Sequence, residues 1–206
     1  MSPEDSPTRL RRLRRRAWLA ELSSLFALAI SALAFALGIY QAHLMNEQTR
    51  LMQTQSRASV WPYVSIGYAL SDEGDKRGYA WQISNDGVGP ARIESVTLDV
   101  DGKPVARWKD VFRAVFGDDA PVDATYSQIY GKVLPPSTNR ETTIEAVHVS
   151  DPTQARAMFA AQNRFEMRIC YCSVYGECWV ARQRVADVTP VARCETEGTT
   201  PFEPQM

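Results

Sequence analysis

The chain has 206 residues, 45% of them hydrophobic, with 23 Lys+Arg set against 24 Asp+Glu. That length allows one ordinary domain plus an appendage. The charge balance hides a segregation. Arg9, Arg11, Arg12, Arg14, Arg15 and Arg16 crowd the start, and the body left without them is acidic, which argues against nucleic acid as a partner.

Residues 1–17 read as a basic tail and 18–40 as a transmembrane helix. From Leu22 to Tyr40 the sequence "LSSLFALAISALAFALGIY" carries no charge, and serines are its only polar interruptions. At about 1.5 Å per residue it makes roughly 28 Å of helix, close to the thickness of a bilayer's hydrocarbon core. Its apolar residues lie all round, unlike a surface helix, and Trp18 and Tyr40 bracket it where interfacial aromatics sit. Arg11, Arg12, Arg14, Arg15 and Arg16 precede the span, whereas "QAHLMNEQTR" after it is nearly neutral. The positive-inside rule therefore expects a cytoplasmic N-terminus and a periplasmic body on a bacterial inner membrane. A cleaved signal peptide is the alternative, with "AFA" or "ALG" as a small-residue site, but the apolar run is longer than an ordinary signal core.

Residues 41–59 lack Gly and Pro and favour helix, so a helical stalk is expected. Leu44, Leu51 and Ala58 recur at seven, which leaves homo-oligomer formation through span or stalk open. From Val60 the period changes to two. "VWPYVSIGYAL" and "YAWQISN" alternate and are separated by "SDEGDKRG", as two strands joined by a turn. In "RIESVTLDV" the apolar parity moves between Ile93 and Val96, which predicts a bulge near Glu94–Ser95. "WKDVFRAVFG" and "DPTQARAMFAAQNR" read as two short helical insertions, the second capped by Asp151 and begun by Pro152. Long strands over 164–173 and 178–187 close the pattern. The fold expected for 60–190 is mainly β, an antiparallel β-sandwich, with 191–206 as a C-terminal tail.

In "NDGVGPA" (85–91), Gly87 and Gly89 offer positive φ and Pro90 fixes entry into the next strand. A phosphate-cradling loop would need a helix to follow, and β-branched "ARIESVTLDV" is strand-like instead. Asn85, Gly87, Gly89 and Pro90 are thus read as a structural turn. With this stretch and "ICYCSVYGECW", the chain resembles bacterial single-pass membrane-anchored proteins that have an Asn-x-Gly-x-Gly-Pro-Ala turn. The resemblance implies an immunoglobulin-like ectodomain and no established activity.

Three of the four cysteines lie in "CYCSVYGECW". A three-residue loop with a left-handed Gly176 sets Tyr171 opposite Trp179, Ile169 opposite Ala181 and Cys172 opposite Cys178. Phe165, Met167, Ile169 and Tyr171 then form the core face, and the cysteines point outward. Cys172–Cys178 and Cys170–Cys194 are the expected bridges, although three connectivities exist on paper. A zinc site using His148 or Cys194 as a further ligand is the alternative, disfavoured by ligand spacing. No C-x-x-C at a helix start supports a redox role.

No G-x-S-x-G, H-E-x-x-H or P-loop occurs, and of the two histidines His43 falls in the stalk and His148 near a strand end. Asp118, Asp119 and Asp123 form an acidic loop without EF-hand spacing. Trp108, Tyr126 and Tyr130 are candidates for a contact patch or for burial. The expected function is therefore a non-enzymatic membrane-anchored binding module with an envelope protein as partner and no cofactor or metal. The alternative is an envelope hydrolase whose carboxylates, such as Glu166, Asp118 and Asp119, assemble only in three dimensions.

Overall fold

The computed structural model describes residues 6–72, 74, 77–118, 120–137, 143–195 and 200–202. In the first helix, side chains are described at Arg14 and from Trp18 onward. The chain forms two compact units, Met1–Gln55 and Ser56–Met206.

The first unit is built on helix α1, Ser6–Ala58, which is long and apolar enough over part of its length to cross a membrane. Leu25, Phe26, Leu28, Ile30, Leu33 and Phe35 are exposed, so the described residues of this chain leave their apolar surface uncovered. The serine hydroxyls need no water either. Ser23 Oγ donates to the Ala20 carbonyl and Ser31 Oγ to the Ala27 carbonyl, both at 2.8 Å, which keeps their polar atoms inside the helix.

The second unit contains two antiparallel sheets. The first has the order β1-β2-β7-β5, from β1 (Val64–Ser71), β2 (Gly78–Asn85), β7 (Ile144–Val149) and β5 (Ala124–Tyr126). The second has the order β10-β9-β8-β3-β4, from β10 (Val185–Val191), β9 (Cys178–Arg182), β8 (Phe165–Cys172), β3 (Ala91–Val100) and β4 (Lys103–Val105). The short β6 (Val133–Leu134) pairs with the start of β3. Helix α2 (Trp108–Phe116) links β4 to β5, and α3 (Pro152–Ala160) follows β7. Asp151 caps α3, its Oδ1 accepting from the backbone N–H groups of Thr153 and Gln154 at 3.0 and 2.8 Å.

Alternation along the strands builds one core. Tyr79, Trp81, Ile83, Val147 and Val149 come from the first sheet, and Val96, Leu98, Phe165, Met167, Ile169 and Tyr171 from the second. Trp81 lies at its centre, with ring centroids 5.5 Å from Phe165 and 5.8 Å from Trp108 of α2. The β3–β8 register shifts between Ile93 and Ser95, so the bulge keeps Ile93, Val96 and Leu98 all on the core side.

Two expectations need correction. Strand β1 begins at Val64 rather than Val60, because Trp61 to Tyr63 are held by the Asn85 turn instead of a neighbouring strand. The segment 178–187 is not one strand. Arg184 turns the chain with φ of 65°, and β10 folds back antiparallel onto β9. The tail after 190 is tied to the body at described residues, in part by the bridge expected at Cys194. Val191 ends β10, Cys194 is bridged to Cys170, and Phe202 is 2% exposed in the core. The Phe202 backbone N–H donates to the Val96 carbonyl at 2.9 Å, and its ring meets Trp108 edge-on at 4.9 Å.

Candidate functional site

The site grows from the pleat of β3, β8 and β9. Because Val96, Leu98 and Val100 turn inward, Ser95, Thr97 and Asp99 must face out. The same rule sends Arg168 and Cys170 outward from β8. Thr97 pairs across the sheet with Arg168, and Arg168 pairs with Arg182 of β9, so two arginines stand directly opposite each other.

After β10, Ala192, Arg193, Glu195 and Thr200 lie against this face. The Cys170–Cys194 disulfide ties this strap to β8, with Cα atoms 5.7 Å apart, and Phe202 fastens it at the edge of β3. Between strap and sheet lies an open groove of 710 Å³, whose lining includes Ser95, Thr97, Asp99, Arg168, Arg182 and Arg193. Val180 and Val191 add apolar surface, and Glu195 contributes a second carboxylate.

The electrostatics are uneven. Asp99 accepts a hydrogen bond from Arg168 Nη2, so that acid is engaged. Among the described residues, Arg182 and Arg193 have no acidic partner within salt-bridge reach. Arg168 Nε is shielded from solvent and also lacks a hydrogen-bond partner among them. An unmet buried donor costs about 1–3 kcal/mol, and like charges directly opposite on paired strands add a further penalty.

The second disulfide, Cys172–Cys178, crosses the β8–β9 hairpin at a Cα separation of 4.0 Å. Ser173 N–H donates to the Glu177 carbonyl at 2.8 Å, which makes the Cys172 and Cys178 positions a non-hydrogen-bonded pair, where strands approach most closely. The two bridges touch, with Cys172 Sγ 3.8 Å from Cys194 Sγ. The cysteines lie on the outer face, but Cys170, Cys172 and Cys178 are only 7, 4 and 7% exposed. A strand-parity argument sees the face and cannot see the strap that covers it.

The sulfurs of Cys172, Cys178 and Cys194 fall within 4.8 Å of one another, near enough to share an ion, but each is committed to a disulfide. His148 belongs to β7 of the other sheet, with Nδ1 3.5 Å from a Glu145 carboxylate oxygen, so it does not complete that cluster.

Asn85 is fully buried, and its amide is saturated. Nδ2 donates to the carbonyls of Gly89 (2.7 Å) and Leu134 (3.0 Å), while Oδ1 accepts from the N–H groups of Tyr63 (3.0 Å) and Gly87 (3.1 Å). The turn's glycines are there for a different reason from the one expected. Neither Gly87 nor Gly89 has positive φ. A Cβ on Gly87 would lie 2.4 Å from Tyr63 N, and one on Gly89 only 1.9 Å from the Val60 carbonyl oxygen. Close backbone approach is the requirement, and Pro90 then leads into β3.

The remaining candidates scatter. Arg14 is exposed on α1, and the side chains of Arg11, Arg12, Arg15 and Arg16 lie outside the described residues, as does Asp119. Asp118 follows α2 and pairs with Arg113 at 3.0 Å. Glu166 is exposed on β8 opposite Asp99, and neither it nor Asp118 lines the groove. Trp108 is buried, Tyr130 is half-buried and Tyr126 is exposed, so no three-aromatic surface patch forms. Sequence reasoning missed Arg168, Arg182 and Arg193. For Arg168 and Arg182 the available signal was outward parity on β8 and β9, whereas Arg193 follows β10 in the strap, which has no local signature.

Comparison with protein-family models, with curated proteins and with solved structures gives no match for this chain.

Proposed function

We propose that this protein is a membrane-anchored binding module without catalytic activity, carried on the periplasmic side of a bacterial inner membrane. The single observation that carries the reading is the strapped groove on the outer face of the second sheet. It is open, mixed in polarity and fixed at both ends, by a disulfide and by a buried phenylalanine. Pockets of about 300–1,000 Å³ suit compact ligands.

The anchor is assigned to the apolar part of α1, with the arginine-rich start in the cytoplasm. Two disulfides in the second unit agree with an oxidising compartment. We read that unit as an immunoglobulin-like sandwich, and the strand order supports this. Labelled in the immunoglobulin manner, β1-β2-β7-β5 is A-B-E-D and β9-β8-β3-β4 is G-F-C-C′, with β6 and β10 as additions. The usual B–F disulfide is replaced by aromatic packing, Trp81 of β2 against Phe165 of β8.

Crosslinking in intact membranes followed by co-purification tests the reading. A specific envelope protein or small ligand retained with the second unit is expected. A homogeneous monomer with nothing bound would sink it.

A further inference from the structure

We propose that the strapped groove is a site for a compact organic anion bearing carboxylate or phosphate groups, gripped by Arg182 and Arg193 with Arg168 behind them. The proposal rests on the binding-module reading and names its ligand class.

Among the described residues, the groove carries positive charge without a partner. Three guanidinium groups among the described residues line the groove against two carboxylates, Asp99 and Glu195. Asp99 is engaged by Arg168, and among the described residues Arg182 and Arg193 are unpaired. Moreover, Arg168 and Arg182 are direct cross-strand partners. At such a pair Cβ atoms stand about 4.5–5.5 Å apart, so both guanidinium groups can reach one planar oxyanion, and repulsion between them falls when it binds. Arg is the residue type suited to this, because its planar fork matches carboxylate and phosphate oxygens bidentately. Ser95 and Thr97 offer neutral hydroxyls, and Val180 and Val191 give a carbon skeleton something to lie against. The groove volume of 710 Å³ fits a small polyanion or the end of an acidic chain rather than an extended polymer.

An anionic lipid headgroup and a soluble metabolite share this chemistry, so the test has two arms. In the first, the full chain in phosphatidylcholine nanodiscs is titrated calorimetrically with citrate, pyrophosphate and a neutral sugar. In the second, the detergent-purified full chain is titrated with phosphatidylglycerol and read by native mass spectrometry. Saturable binding of an anion in either arm is expected, and the arm identifies the source. Arg182→Gln and Arg193→Gln should each weaken it about tenfold, and Arg182→Lys should do less harm. Both arginines are exposed, so circular dichroism and intact disulfides should confirm that the variants fold. Equal binding of the sugar, unchanged affinity in both glutamine variants, or no binding in either arm would overturn the proposal. If no anion binds but crosslinking still retains a partner, the binding module stands and this ligand class falls.

Discussion

At the scale of single residues, Asn85 stands out because one side chain closes four hydrogen bonds between three segments, the lead into β1, the glycine turn and β6. Replacing it with Ala leaves two buried carbonyls and two N–H groups without partners. Asn85→Ala should therefore cost at least about 3 kcal/mol in denaturant unfolding. The sequence marks this turn, but its glycines suggest positive φ, the usual local reason for Gly. The real cause, contact with Val60 and Tyr63, depends on where another segment passes. Tyr171 gives a second prediction. Burial pushes its phenol from 10.0 up to about 12. Its folded pKa is raised, so its contribution to stability is complete below pH 10 and is lost as pH climbs toward 12. Burial moves Tyr79 in the same direction. Between these pH values Tyr171→Phe should lose stability less steeply than the parent, measured by denaturant midpoints at each pH.

At the scale of elements, the β8–β9 hairpin is the most legible part. A left-handed Gly176 (φ 80°) and inward parity of Phe165, Met167, Ile169 and Tyr171 fix one register, and Tyr171–Trp179, Ile169–Ala181 and Cys172–Cys178 are the pairs found. The strap is the least legible. Nothing periodic surrounds Phe202, and only a lone aromatic in polar sequence marks it. Its side chain nevertheless fills the space beside Trp108. Phe202→Ala should destabilise the second unit by roughly 3–5 kcal/mol, read as a lowered denaturant midpoint. If the midpoint does not move, the strap is not fastened there.

At the scale of the whole molecule, the charge asymmetry around the apolar run of α1 motivates the proposed orientation. A reporter active only in the periplasm, fused after residue 206, should be active. Activity solely from a cytoplasm-dependent reporter would reverse the topology. The two-sheet body follows from a change of period at Val60 and from turn signals between short alternating segments. By itself, the sequence determined what depends on neighbours a few positions away: the long apolar helix, which residues of a strand share a face, the cap at Asp151 and the tight end of the β8–β9 hairpin. Only the tertiary structure decided which strands lie side by side, why Gly87 and Gly89 tolerate no Cβ, and how Arg193 after β10 comes to line one groove with Arg168 and Arg182. Side-chain period is a property of one segment's backbone, whereas a groove exists only where segments distant in sequence meet, and no single segment carries that information.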